Sequence, residues 1–233
     1  MDTPKTTEPK WRFLDDVQVK EYFIALLNEP DIRIKTALAI FLFAGIRRGE
    51  LLGLDWDDID FLDSKIHIRR AVYYTAETGT YADTPKTKSS IRSITVSSEL
   101  LNMLYQYRDW QNEIADIMGD EWKNEKNRLF TAVDGGQIHP GAIDRWVKKF
   151  HANSGLPYIN PHGLRHTFIT LQLTAGVDIR TIQARSGHSN ATTLLNVYSH
   201  AIQSAQDKAA QVLNDVIIPD NPPFLLTDDL NKS

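Results

Sequence analysis

Apolar residues recur three and four positions apart through most of this chain, and the places where that rhythm changes mark its elements. Asp15 or Asp16 can cap a helix running to about Asn28, with Val19, Tyr22, Phe23 and Leu26 at helical spacing. A second helix begins at Asp31. Ile34, Ala37, Leu38, Phe41 and Leu42 make it strongly apolar, which predicts a central core helix, and Gly45 is a residue type that ends one. Arg48 to Leu54 reads as a short helix with its leucines inward. Arg47 sits at the junction, where a charged head can emerge from a buried frame into a cleft. Trp56 to Asp63 reads as a polar turn. The period then changes to two at Lys65–Arg69 and again at Ile91–Val96, with Val72–Tyr74 continuing the first strand or starting another. Glu77-Thr78-Gly79 is a turn signal, and Thr84 to Ser90 is expected near a hairpin turn.

Helical spacing returns after Ser97 or Ser98 and runs to about Ile117, apolar at Leu100, Leu101, Leu104 and Tyr107. Met118 to Arg128 is a charged connection. Leu129-Phe130 and Asp134-Gly135-Gly136 read as a short extended piece and a turn. Gly141 to Asn153 predicts a helix with Ile143, Trp146, Val147 and Phe150 inward and Arg145, Lys148 and Lys149 outward. Pro161 opens a helix at a favoured first-turn position, and Gly176 closes it. Asp178 opens another, through Ala184. Thr192 to Tyr198 is helical with Tyr198 near its exposed end, and a last helix spans Ala201 to Val216. The expected fold class is therefore mainly α with a small antiparallel β-sheet, an α+β domain. Met1 to Lys10 reads as a linker or disordered N-terminus.

Composition narrows the field. A chain of 233 residues can bury a full core. No apolar run is long enough to span a bilayer, and the N-terminus has no apolar h-region of a secretory signal. Cysteine is absent, which rules out disulfides and thiolate metal sites. A cytoplasmic location fits. The net charge of −4 argues mildly against nucleic-acid binding, but its distribution matters more. Between Ile138 and His200 six basic residues face only two acidic ones. The acids gather at Asp55, Asp57, Asp58, Asp60 and Asp63 and in the tail. A two-signed molecule with a basic face follows.

The candidate chemistry lies between Pro161 and Ser199. Pro161-His162-Gly163-Leu164-Arg165-His166 is followed by Arg185-Ser186-Gly187-His188 and then Asn196-Val197-Tyr198-Ser199. His162 and Arg165 are three apart and share a helix face, whereas His166 lies on a neighbouring face and reads as structural. A tyrosine among basic groups suits phosphoryl transfer from DNA, because a phenol oxygen can hold a phosphate covalently and later leave.

His-x-x-Arg-His, then Gly-His, then Tyr resembles the C-terminal half of the tyrosine recombinases, the integrases of phages and conjugative elements. That family also carries an arginine in Gly-x-Arg-x-x-Glu, found here as Gly45-Ile46-Arg47-Arg48-Gly49-Glu50. It has a lysine on a β-hairpin, matched by Thr84-Pro85-Lys86-Thr87-Lys88. The blocks occur in the family's order, and the resemblance runs from about Trp11 to about Val216. It implies a catalytic domain over 11–216 and a C-terminal tail, 217–233, that docks on a neighbouring subunit. The family's helical DNA-gripping domain has no room before Phe13, so the chain is expected to be a fragment.

The resemblance also implies roles. Arg47 and Arg165 clamp the phosphate, Tyr198 is the nucleophile, and His162 accepts its proton or holds the phosphate. His188 contacts a non-bridging oxygen or orients the tyrosine. Lys86, with Lys88 as the alternative, protonates the departing 5′ oxygen. Lys88, Arg92, Arg145, Lys148 and Lys149 are candidate DNA contacts. The implied partner is double-stranded DNA at attachment sites, bound by a homotetramer with accessory excision or host DNA-bending factors. The scheme needs no cofactor and no metal. Three rivals are a type IB topoisomerase-like nicking and resealing enzyme, a non-catalytic DNA-binding module, and a zinc hydrolase on His162, His166 and His188.

Overall fold

The computed structural model describes residues 13–83, 91–188, 190, 192, 194, 195 and 198–217. Its helices are α1 (Asp16–Leu27), α2 (Ile32–Ala44), α3 (Arg48–Leu52), α4 (Ser98–Met118), α5 (Gly141–Ser154), α6 (Pro161–Thr174), α7 (Ile179–Ser186) and α8 (Ser199–Ile217). The strands are β1 (Ile59–Asp60), β2 (Lys65–Ile68), β3 (Ala71–Thr75), β4 (Gly79–Asp83) and β5 (Arg92–Thr95). The α+β expectation holds. Most helix starts fall where a capping side chain is legible in the sequence. Asp15 accepts from the N–H groups of Val17 and Gln18, Ser97 from Leu100, and Asp178 from Arg180 and Thr181.

α2 is the hub. From Ile34 to Ala44 almost every side chain is buried, and α1, α4, α5 and α6 pack around it. A helix that is apolar on all sides has to be surrounded, because each fully buried Leu or Ile contributes about 1.5–3 kcal/mol only when water is excluded from its whole surface. α2 ends at Gly45 in the left-handed conformation, with φ 59°. A Cβ there would lie 2.1 Å from the Phe168 ring, so glycine lets α6 come close.

The β structure is in two parts. β1, β2 and β5 form a three-stranded antiparallel sheet in that order, and β3 and β4 form a separate antiparallel hairpin. The hairpin turn lies between Thr75 and Gly79. Residues 84–90, expected near a hairpin turn, lie outside the described residues. β1 falls within the stretch expected to be a polar turn. It is two residues long, too short to show alternation, and exists because Ile59 and Asp60 pair with Ile66 and Lys65. The acidic stretch around it is also not simply surface charge. Asp58 is fully buried, held by Arg69 and Arg70, and Arg70 also pairs with Asp55.

The apolar interior has two parts. The main core spans α1 to α5 and the sheet, and reaches α6 at Leu164. A smaller cluster of Phe168, Ile169, Leu173, Ile182, Leu194 and Tyr198 sits beneath the C-terminal helices. Among the described residues no helix is long and apolar enough to cross a membrane.

Candidate active site

α6 and the two turns that flank it in space carry the site. Asn160 caps α6 and Pro161 begins it, which sets His162 and Arg165 in the first two turns. Arg165 is only 2% exposed. Its Nη1 donates to the Gly45 carbonyl at 2.6 Å and its Nη2 to the Ser186 carbonyl at 2.6 Å. The glycine that ends α2 and the residue that ends α7 thus meet on one guanidinium. Burial, followed by repulsion from Arg47, draws Arg165 down to about 9, still charged at neutral pH.

Arg47 stands at the start of α3. Its backbone N–H donates to Glu50 Oε2 at 2.8 Å, a capping contact from the last residue of the motif. Its side chain donates to Glu50 Oε1 and to the Gly187 carbonyl, both at 2.8 Å, with the rest of the guanidinium turned outward. His188 follows the left-handed Gly187. Its Nδ1 lies 2.7 Å from Ser186 Oγ and 3.4 Å from Arg165 Nη2. A guanidinium can only donate, so this contact favours the tautomer with Nδ1 bare and the proton on Nε2. Burial first, then Arg165 and Arg47, push His188 down to about 3. His162 is lowered by the same three causes. Both imidazoles are neutral at pH 7.

Arg47, His162 and Arg165 line an open cleft of about 940 Å³ between α3, the β3–β4 hairpin and the start of α5. Tyr198 is not part of its wall. The helical pattern predicts it near an exposed helix end. It is instead 7% exposed, and it packs in the smaller core because α6 and Leu194 close over that side of the ring. Its hydroxyl hydrogen-bonds Nδ1 of His166, whose ring meets that of His162 edge-on at 4.5 Å. Burial, then His162 and Arg165, hold His166 down at about 4, so the neutral imidazole accepts and the phenol donates. Burial raises the phenol well above its usual range, against the pull of Arg165. His166, read from the sequence as a supporting residue, thus supports Tyr198 directly. The signal is its place one residue after Arg165, but only the fold shows which element packs on it.

The match to known proteins follows these residues. The model of the phage integrase family covers residues 12–204. The chain belongs to the phage integrase family. A tyrosine recombinase XerC-like protein of Caldanaerobacter subterraneus is 36% identical over 210 residues, 82% of this chain and 54% of that protein. The ICEBs1 integrase of Bacillus subtilis is 29% identical over 211 residues, 91% of this chain and 56% of that protein. The chain thus spans about half the length of these curated relatives. Among solved structures, the Tn1549 transposon integrase in complex with transposon right-end DNA superposes with a TM-score of 0.72 at 27% identity. The match covers 91% of this chain and 69% of that one.

The other candidate residues of this phage integrase family member divide. Lys86 and Lys88 lie outside the described residues. Arg145, Lys148 and Lys149 are exposed on the outer side of α5, with Lys149 3.7 Å from Asp31. Arg48 at the cleft pairs with Asp144. Arg92 is not placed as a DNA contact. Its side chain is 6% exposed and forms a two-pronged ion pair with Glu50, both contacts at 2.9 Å. On alternating β5 it takes an inward position, because the buried carboxylate needs a cation. In the sequence Glu50 stands only as part of a motif. Its spacing of three from Arg47, a capping-box interval, is the available signal.

Proposed function

We propose that this chain carries out site-specific DNA strand cleavage and rejoining through a 3′-phosphotyrosine, as the catalytic part of a recombinase that integrates and excises a mobile element. One observation carries the reading: two anchored guanidiniums and a neutral histidine face a single cleft, with a tyrosine hydroxyl held one imidazole away. A DNA phosphodiester is an anion that repels nucleophiles, so its non-bridging oxygens must be neutralised as the transition state forms. Arg47 and Arg165 supply permanent charge and planar donors. His188, with its proton on Nε2, donates to a non-bridging oxygen. Tyr198 leaves His166, gives up its phenolic proton to His162, and attacks phosphorus. The bond from phosphorus to the 5′ oxygen breaks, and Lys86 or Lys88 protonates the departing oxygen. A 5′ hydroxyl of the partner strand then attacks the phosphotyrosine, so the phosphoester is conserved and no ATP is consumed.

The partner follows from the same reading. The Tn1549 relative was solved on DNA, and duplex DNA is the partner proposed here, contacted by Arg145, Lys148 and Lys149 on α5. A homotetramer on two attachment sites, helped by accessory excision or host DNA-bending factors, is the proposed active assembly in the cytoplasm. Residues 217–233 dock on a neighbouring subunit in it. Their removal is expected to weaken assembly on DNA without stopping single-strand cleavage.

The test does not require the attachment site to be identified first. A library of nicked duplexes with randomised sequence is incubated with the protein in EDTA, and covalent adducts are isolated under denaturing conditions and sequenced. Adducts at a 3′ phosphate that share a sequence and vanish in Tyr198→Phe support the reading. Relaxation of supercoils without strand exchange would favour a topoisomerase-like enzyme. DNA binding without any adduct would favour a non-catalytic module.

A further inference from the structure

Three consecutive carbonyls at the end of α7 each receive a different arginine. Arg185 O accepts from Arg92 Nε at 2.7 Å, Ser186 O from Arg165 Nη2 at 2.6 Å, and Gly187 O from Arg47 Nη2 at 2.8 Å. The last carbonyls of a helix are the ones its own backbone leaves unpaired, and they carry the negative end of the helix dipole. This turn therefore gathers three positive groups that would otherwise repel one another. A Cβ on Gly187 would lie 2.7 Å from Arg92 Nη1, and Gly187 has φ 68°, so a side chain there would strain the turn and crowd Arg92.

The cluster contains one acid, Glu50, and two of the three arginines compete for it. Arg47 Nη1 and Arg92 Nη1 both donate to Oε1, while Arg92 Nη2 and the Arg47 backbone N–H donate to Oε2. Arg92 takes both oxygens with its planar end. Burial works to raise the Glu50 carboxyl, but Arg92 and then Arg47 hold it below the usual carboxylate range, so it is ionised. Were Arg92 absent, that full negative charge would fall on Arg47 alone, at the edge of the cleft.

We propose that Arg92 is a positioning residue that takes up much of the charge of Glu50 and so leaves more of the charge of Arg47 for an anion in the cleft, while its Nε ties the start of β5 to the carbonyl turn that aims the other two arginines. Arg92 touches no substrate itself. The inference rests on the reading of the cleft as a phosphate-binding site and concerns how its charge is set. Coulomb attraction between unit charges in contact is strong where water is largely excluded, so the sharing of one carboxylate between two guanidiniums matters.

The experiment compares wild type, Arg92→Lys and Arg92→Gln in the full chain. The substrates are the selected nicked duplex and the same duplex with a neutral methylphosphonate at the cleaved position. Arg92→Gln is expected to slow cleavage of the phosphodiester at least tenfold more than cleavage of the methylphosphonate, because the lost quantity is positive charge toward an anion. Arg92→Lys keeps the charge and is expected to hold the ratio of the two rates near that of wild type, even where both fall. Equal slowing of both substrates by Arg92→Gln would overturn the proposal and leave Arg92 a purely structural ion pair. If wild type forms no adduct on any duplex, the cleavage reading fails separately. The positioning role is then decided by titrating the DNA-free proteins with inorganic phosphate, monitored at the Arg47 Nε–Hε signal by NMR. Binding at least tenfold weaker in Arg92→Gln than in Arg92→Lys sustains it, and equal binding, or none to wild type, removes it.

Discussion

Arg165 and Tyr198 are both almost fully buried, at 2% and 7% exposure, yet the molecule holds them by different means. Arg165 lies at the seam of the main core, with both ends of its guanidinium on backbone carbonyls of α2 and α7. Those carbonyls cannot turn away without unwinding helix ends. Tyr198 lies in the smaller core, and its hydroxyl hydrogen-bonds another side chain, His166. A phosphate clamp gains from being fixed before substrate arrives, since preorganised donors need no rearrangement during reaction. A nucleophile that must reach phosphorus and later release it gains from a hold that can be exchanged. The contrast between backbone anchoring and side-chain tethering is the main lesson of the site.

Five measurements would break or sharpen that contrast. Tyr198→Phe should abolish adduct formation, a loss on the order of 10^4-fold or more, with an unchanged fold, since only the bond to His166 disappears. An intact adduct in this variant would transfer the nucleophile elsewhere. Next in size is Arg165→Ala. It removes the donor proposed for the transition state, worth roughly 10^2 to 10^3 in rate. It also strands two buried carbonyls, at about 1–3 kcal/mol each. A chemical melt that matches wild type would show that the carbonyl anchors carry no stability.

Gly45→Ala strikes the same anchor from the backbone. The left-handed φ and the 2.1 Å approach to Phe168 predict a loss of about 1–3 kcal/mol, read as a shift in denaturant midpoint. His166→Ala tests the other side of the comparison. It should cost about 1 kcal/mol, because the buried phenol loses its acceptor. It should change the cleavage rate less than tenfold. A fall of about 10^2 or more would instead make His166 a proton acceptor in the reaction.

A last test reads stability against pH. His188 and His166 titrate at about 3 and about 4 in the fold, against roughly 6.5 in an unfolded chain. The unfolded state therefore binds more protons between those values. Stability is full above about pH 6.5 and falls as pH drops toward 4, by up to about 1.4 kcal/mol per pH unit for each histidine. His188→Asn should flatten that slope by its share. An unchanged midpoint-against-pH curve would contradict the burial assigned to the ring.

Much of the fold and site is legible in the sequence, for identifiable reasons. α2 can be read from its all-round apolar run, and the helix starts at Asp15, Ser97, Pro161 and Asp178 from residues whose chemistry acts within one turn. His162 and Arg165 can be placed together because their spacing of three on a helix is local geometry, whereas Arg47 joins them only through the family resemblance. The errors fall where distant segments decide. β1 is too short to show alternation and exists through its partner. The Glu77-Thr78-Gly79 turn signal holds, whereas the pairing of β5 with β2, and of β3 with β4 in a separate hairpin, is set between segments. Tyr198 follows a helical pattern that says nothing of what covers it.

The sequence by itself determined the helix-rich class, the order of the motif blocks and the residue types able to bind and attack a phosphodiester. These depend on side-chain chemistry and on contacts within a few residues. Only the tertiary structure decided which charges remain available. Arg92 and Arg47 are both arginines beside apolar residues in the chain. One is buried against Glu50 and the other, paired to the same carboxylate, stays partly exposed at the cleft, because β5 and the start of α3 meet there. Charge in a protein belongs to the arrangement of its neighbours, and here Arg92 meets Glu50 from 42 positions away and Arg47 meets the Gly187 carbonyl from 140.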